Sequence, residues 1–328
     1  MLTGRHSIII SLKMSASIEE EDNGVVACAS CGIAGGDGIK LKKCTGCHLV
    51  RYCSVKCQKD HRPKHKKECK QRAAELRDEI LFKQPESSYL GDCPLCCLPL
   101  SIDRMKFTFM TCCSKVTCVG CNFADQNRQT ERNLHPRCAF CREAVPKTNA
   151  EQIERVMKRI EANDPVAIRY VGTEGYFKGD YKTAFECWTR AAALGDLEAH
   201  YQLSTLYREG KGVEKDEKRE LHHLEHAAIG GHHNARRNLG CIEEENGRMD
   251  RAAKHYIIAA KLGYDKSLKN VKNLYKAGHV SKEDFAAALR GHQATINATK
   301  SPQREAGEAA DRARRIHLSA STHGYSWR

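Results

Sequence analysis

A run of cysteines limits what this chain can fold into more than any other feature. Sixteen of its eighteen cysteines lie between Cys28 and Cys141, most of them in pairs separated by two residues. The first block holds Cys28 and Cys31, Cys44 and Cys47, Cys53 and Cys57, and His65 and Cys69. The second holds Cys93 and Cys96, Cys112 and Cys113, Cys118 and Cys121, and Cys138 and Cys141. Each block offers eight thiol or imidazole groups, enough for two tetrahedral Zn²⁺ sites. One short pair cannot close a structural site, but four pairs in each block can. The rival is a disulfide framework, which needs an oxidising compartment and a secretory signal. Neither is evident, so the expectation is four Zn²⁺ ions and a chain kept in the reducing cytoplasm or nucleus.

The chain has 328 residues and a formal charge of +13. That leaves room for one sizeable hydrophobic core beside the metal modules, and the core is expected after residue 150. The charge counts every cysteine as a neutral thiol. With four zinc ions and fifteen thiolates it falls to about +6, which weakens a global argument for nucleic acid. Near the start, Arg5 and Ile8, Ile9 and Ile10 hint at a targeting peptide, but the apolar run is short and Glu19, Glu20, Glu21 and Asp22 follow. Residues 1–23 are read as a disordered tail, and Met14 competes with Met1 as the start. No stretch of eighteen apolar residues occurs, so no membrane span is expected.

The stretch Tyr52-Cys53-Ser54-Val55-Lys56-Cys57-Gln58, followed by His65 and Cys69, makes the first block resemble the MYND zinc finger, placed at 24–69. The resemblance implies two interleaved sites, Cys28, Cys31, Cys53 and Cys57 on one ion and Cys44, Cys47, His65 and Cys69 on the other. A domain of about forty residues has too little core to fold unaided and takes its folding free energy from metal. His48 and His61 are read as solvated, because eight ligands are already present. Residues 40–72 carry twelve Lys or Arg against two acids, with only Tyr52 interleaved. Without a second aromatic platform, sequence-specific nucleic-acid reading is disfavoured. The family instead implies binding of proline-containing peptides from partner proteins.

A helical pattern from Lys70 to Phe82, ended by Pro85, is read as a linker helix within 70–90. Residues 91–146 resemble a RING finger. The resemblance implies that Cys93, Cys96, Cys118 and Cys121 share one ion. The second pair departs from the family, since Cys112-Cys113 stands where Cys-x-His is usual and Lys115 occupies the histidine's place. Either both cysteines complete the second site with Cys138 and Cys141, or one of them does so with His135. The double cysteine is preferred because thiolates are the stronger structural ligands. Cys97 is left over as a buried or free thiol. RING fingers commonly hold a loaded ubiquitin-conjugating enzyme. Leu95 falls where the family makes an apolar contact to that enzyme, and Arg142 where it uses a cation to hold the ubiquitin thioester, whereas Ala139 replaces the usual proline.

Ile153, Val156, Met157 and Ile160 predict a connecting helix within 147–163. Thereafter the chain repeats. Asp180, Gly195 and Ala199 recur thirty-six places on as Asp216, Gly231 and Ala235, and a weaker copy has Asp250, Gly263 and Ser267. Paired alanines, Ala191-Ala192, Ala227-Ala228 and Ala259-Ala260, end one helix of each copy. Residues 164–292 resemble Sel1-like repeats, a tetratricopeptide-like class, and such solenoids offer a groove for partner proteins. His222, His223, His226, His232 and His233 are read as helix-surface and turn positions, and Cys187 and Cys241 as packed apolar groups. Residues 293–328 lack apolar periodicity and are read as a disordered basic tail.

No phosphate loop, nucleophile elbow or paired-histidine metalloprotease motif appears. The fold class is small zinc-bound α+β modules, MYND and RING-like cross-brace, followed by an all-α solenoid. The functional expectation is a monomeric zinc-binding adaptor for protein partners, with a RING-type ubiquitin ligase activity that supplies no nucleophile of its own. The alternative is a non-enzymatic scaffold or transcriptional regulator with purely structural fingers.

Overall fold

A computed structural model describes residues 27–36 and 38–322, and the expected N-terminal tail and the choice of start lie outside them. The described residues form two compact units, one up to Asp78 and one from Glu79 onward.

In the first unit, β1 (Lys42–Lys43) pairs antiparallel with β2 (Arg51–Tyr52), and α1 (Val55–Leu81) follows. Its core is Cys28, Cys44, Cys47 and Tyr52, with Leu41 and Val50 packed against them. Three of these four core residues are therefore cysteines, as a domain too small for a hydrocarbon core requires. The hydroxyl of Ser54 accepts the Cys57 N–H at 3.2 Å and starts α1 between two prospective ligands. The helix then runs through residue 70, so the expected boundary between finger and linker helix is not a break in structure, and it stops at Leu81, short of Pro85.

The second unit opens with a hairpin of β3 (Phe107–Met110) and β4 (Lys115–Cys118), in which Phe107 lies opposite Cys118 and Met110 opposite Lys115. Helix α2 (Val119–Glu131) follows directly, then α3 (Asn149–Glu161). Helices α4 (Pro165–Phe177), α5 (Tyr181–Ala193), α6 (Leu197–Glu209), α7 (Glu217–Ile229), α8 (His233–Glu245), α9 (Met249–Lys261), α10 (Asp265–Lys276) and α11 (Lys282–Ala298) form the antiparallel solenoid. Asp164, Asp180, Asp196 and Asp216 cap α4, α5, α6 and α7 through their side chains, and His232 Nδ1 caps α8. The weaker third copy has a physical cause. α9 begins at Met249, so Asp250 lies inside the first turn, and neither α9 nor α10 has a side-chain cap.

Between the helices of a repeat, one position trades volume with its neighbour. Gly172 on α4 faces Trp188 on α5, and a methyl added there would sit 2.7 Å from the indole. Gly240 on α8 faces Tyr256 on α9 in the same way, at 2.5 Å. The corresponding residues of the middle repeat are Ser204 and Leu224, both buried, so a smaller core residue goes with a larger opposing one.

The C-terminal expectation is corrected. Instead of a disordered tail, α11 continues to Ala298 and α12 spans Pro302–Thr322. Ser301 accepts the Arg304 N–H at 3.2 Å and Pro302 takes the first helical position, so the Ser-Pro pair is a helix start. The helix docks on α2 through glycine, arginine and glutamine, which leave no apolar period to read. α3 departs more mildly: Val156 is buried, while Ile153 and Met157 on its predicted apolar face remain exposed.

Candidate metal centres

The ligand pairs are built on one repeated turn. In Cys28-x2-Cys31, Cys44-x2-Cys47, Cys93-x2-Cys96 and Cys138-x2-Cys141, the first cysteine's carbonyl accepts the N–H four residues on, from Gly32, His48, Cys97 and Arg142, at 2.8–3.1 Å. That residue has positive φ in each case: 75° at Gly32, 58° at His48, 54° at Cys97 and 63° at Arg142. The turn aims nearby N–H groups at the first sulfur. The N–H groups of Cys31 and Cys53 hold the Cys28 thiol down at about 6. Burial pushes Cys44 up, but the N–H groups of Cys47 and Gly46 more than offset it and leave Cys44 at about 6. Cys93 falls to about 4, first through its hydrogen bond with Cys118. Burial also pushes Cys138 up, and the N–H groups of Cys141 and Phe140 bring it below the ordinary thiol value. The first cysteine of every such turn is thus held towards thiolate, the form that binds metal.

Four sets of ligand atoms converge, each lying within 4.8 Å of one another: Cys28, Cys31, Cys53 and Cys57; Cys44, Cys47, His65 and Cys69; Cys93, Cys96, Cys118 and Cys121; and Cys112, Cys113, Cys138 and Cys141. These are the interleaved groupings read from the sequence. Sulfur separations run from 3.4 Å for Cys112–Cys141, through 3.6 Å for Cys31–Cys53 and 3.8 Å for Cys44–Cys69, to 4.0 Å for Cys113–Cys138. A disulfide would bring sulfurs to about 2.05 Å. The edge of a tetrahedron with Zn–S bonds of about 2.3 Å is about 3.8 Å. All the cysteines are free thiols, so the donor sets fit zinc and not a disulfide framework. Cys112 and Cys113 both enter the fourth set, while His135 is exposed outside it. Cys97 is exposed, its place set by the backbone turn.

In the second set His65 points Nε2 at Cys47 Sγ, 3.2 Å away. His61 is not simply solvated, since its Nδ1 meets the Tyr52 hydroxyl at 3.1 Å and its ring stacks on His65 with centroids 5.6 Å apart. Beside this set lies a cleft of about 450 Å³ lined by Tyr52, Val55, Lys59, Arg62, Lys66 and Lys70. The four basic residues recur at helical spacing along α1.

Around the third and fourth sets, Leu95 is 38% exposed and Phe140 39% exposed, whereas Ala139 is buried. The Arg142 guanidinium donates to Asp125 Oδ1 at 2.7 Å, from the loop after the last cysteine to the middle of α2. Burial pushes Asp125 up, but Arg142, Gln129 and Arg128 hold it below the usual carboxylate value. Sequence reasoning missed Asp125, because nothing local marks an acid whose partner is seventeen residues away.

It also missed how the segment from Leu81 to Phe109 lies across α4, α6 and α8, the first helix of each repeat pair. Leu81 and Phe82 pack with Leu224, Ala227, Ala228, Ala235 and Leu239, and the fully buried Arg236 donates to the carbonyls of Leu81 and Ala228. A methyl on Gly231 would meet Ser87 O at 2.5 Å. Phe109 stacks on Tyr170 at 5.7 Å. At the centre is Glu198, which accepts from the Tyr89 hydroxyl at 2.7 Å, Arg104 at 3.0 Å and Gln202 at 2.8 Å. His232 completes the set at 3.1 Å, and because its Nδ1 accepts the Ala235 N–H, Nε2 carries the proton donated to Glu198. His232 and His233 occupy the turn and the start of α8, in line with the turn reading, but both are buried. His200 and His223 approach at 2.9 Å between α6 and α7, beside His222 and His226. Burial holds His200 at about 4 and His223 at about 3, so both are neutral at pH 7.

Residues 28–69 match the family model of the MYND finger, and residues 165–196, 197–232 and 235–264 match the Sel1 repeat model. The chain thus carries a MYND finger followed by Sel1 repeats. In the human histone-lysine N-methyltransferase SMYD3, 31 residues are 55% identical, which is 10% of this chain and 7% of that protein. A Sel1 repeat protein from Oxalobacter formigenes is 29% identical with a TM-score of 0.41, over 47% of this chain and 66% of that one. The c5321 protective antigen of uropathogenic Escherichia coli, which displays an SLR fold, is 22% identical with a TM-score of 0.38, over 52% of this chain and 37% of that one. MYND fingers are zinc-binding modules, and both MYND fingers and Sel1 repeats are protein-interaction modules. Among the described residues no helix is long and apolar enough to cross a membrane.

Proposed function

We propose that the protein is an adaptor that binds four Zn²⁺ ions through the sixteen residues of the four sets and captures proline-containing peptides at its MYND finger. The cleft beside Cys44 and Cys69 carries this reading. It joins an exposed apolar residue, Val55, to Tyr52 and a basic edge, which suits a short apolar peptide with acidic flanks. Fluorescence polarisation with a labelled proline-containing peptide of that kind tests it. Val55→Ala and Arg62→Glu should each weaken binding about tenfold, and absence of binding to fully zinc-loaded wild-type protein would contradict the reading.

The exposed Leu95 and Phe140 favour a second reading, in which 91–146 is a RING-like finger that docks a ubiquitin-conjugating enzyme. In it Arg142 must leave Asp125 to reach ubiquitin. Leu95→Ala should then weaken enzyme binding by about 1–2 kcal/mol. Arg142→Ala should slow thioester discharge while leaving that binding nearly unchanged. No discharge from any conjugating enzyme by zinc-loaded protein would leave the finger as a structural module, and the chain as a non-enzymatic scaffold or transcriptional regulator.

A further inference from the structure

Arg304 on α12 is only 3% exposed, yet among its described partners there is no carboxylate. Its Nη1 donates to Pro99 O at 2.6 Å and Thr299 O at 2.9 Å, and its Nη2 to Leu98 O at 2.9 Å and Cys96 Sγ at 3.2 Å. Next to it, Gln303 Nε2 reaches Gly120 O at 3.3 Å and Cys121 Sγ at 3.5 Å. Two sulfurs of the third ligand set thus receive hydrogen bonds from one turn of a helix more than 180 residues later in the chain. The approach is close: a methyl on Gly120 would sit 2.6 Å from Arg304 Cα, and one on Gly307 would sit 2.7 Å from Gly120 Cα. Lys106 and Glu308 close the far side with an ion pair at 2.9 Å.

A buried cation without a counter-charge is costly. A Cys₄ zinc site carries a net charge of −2 on its sulfurs and metal, and such a site is tuned by donors to its sulfurs. From this geometry we propose that α12 is an outer-shell clamp of the Cys93, Cys96, Cys118 and Cys121 site, with Arg304 and Gln303 as its positioning residues. Metal at this site and docking of the C-terminal helix then stabilise one another, because each supplies the charge or the donors that the other lacks. The inference rests on the four-ion reading and adds to it a reason for the helix to lie where it does.

The test uses the full zinc-loaded chain, with chelator-driven zinc release followed by a metallochromic indicator and hydrogen exchange followed over residues 302–314. Arg304→Met, similar in length but uncharged, should speed the loss of one zinc equivalent about 10- to 100-fold while the other three leave at wild-type rates. Arg304→Lys should recover part of the difference. In the reverse direction, Cys93→Ser should raise exchange over 302–314, although no residue there is altered. Should Arg304→Met fail to fold, Gly307→Ala displaces the helix while keeping the charge, and the same single equivalent should be released faster. Wild-type release from Arg304→Met, or unchanged protection of 302–314 in Cys93→Ser, would overturn the clamp and leave the four-ion reading standing. A wild-type count below four with the third site empty would overturn both.

Discussion

Single residues carry structural duties here that their chemistry does not announce. His48, Cys97 and Arg142 read in sequence as a solvated histidine, a left-over thiol and a cation placed to hold a thioester, but each occupies the left-handed position that closes a cysteine turn. Glu198 is the reverse case, an acid in an ordinary helix start that gathers Tyr89, Arg104, Gln202 and His232. Burial pushes its carboxyl up, but His232, Tyr89 and Arg104 outweigh burial and hold it well below the ordinary value of 4.5. A depressed carboxylate stabilises the fold above its unfolded value and loses that contribution as the pH falls below it. Glu198→Ala should therefore destabilise the second unit by about 3–5 kcal/mol at pH 7, as breaking a buried charged network does. Chemical denaturation should show this deficit constant from pH 8 to 5 and narrowing below 4.5.

Among the elements, those whose packing face is hydrocarbon were legible and those whose packing face is polar or small were not. Asp180, Gly195 and Ala199, repeated at a fixed interval, mark α5, the turn after it and α6 because the cap, the turn and the tight helix contact each demand one residue type. α12 escaped notice because Gly307, Arg304 and Gln303 form its contact. The ligand pairs were readable from their spacing, and their interleaved grouping followed from the resemblance to MYND and RING fingers. The side chains that buttress these sets and the repeat helices were not, because Asp125, Glu198 and Arg304 meet partners far away in sequence. The volume exchange between paired helices gives a sharp test. Gly240→Ala would push a methyl into the fully buried Tyr256, whose hydroxyl is held by Glu244 at 2.6 Å. Overpacking of this kind costs about 1–3 kcal/mol, which thermal unfolding of the second unit should register. Lys269→Ala, on exposed α10 surface, should cost under about 0.5 kcal/mol.

At the scale of the whole molecule, two kinds of core coexist. The N-terminal modules are organised around four converging sets of cysteine and histidine, while the solenoid has apolar cores, one around Trp188 and Leu203 and another around Tyr256 and Val271. Within the second unit, the face of α4, α6 and α8 that a helical-repeat scaffold would present to a partner already holds the chain's own segment from Leu81 to Phe109. Chelation should accordingly dissolve the fingers and leave most of the far-ultraviolet helical signal, because neither apolar core contains a metal ligand. Native mass spectrometry of the full chain counts directly whether the sixteen side chains form four separate zinc sites. The wild-type protein should carry four zinc ions and Cys112→Ser three; a firm count of two in the wild type, or an unchanged count in the variant, would contradict the four-site arrangement.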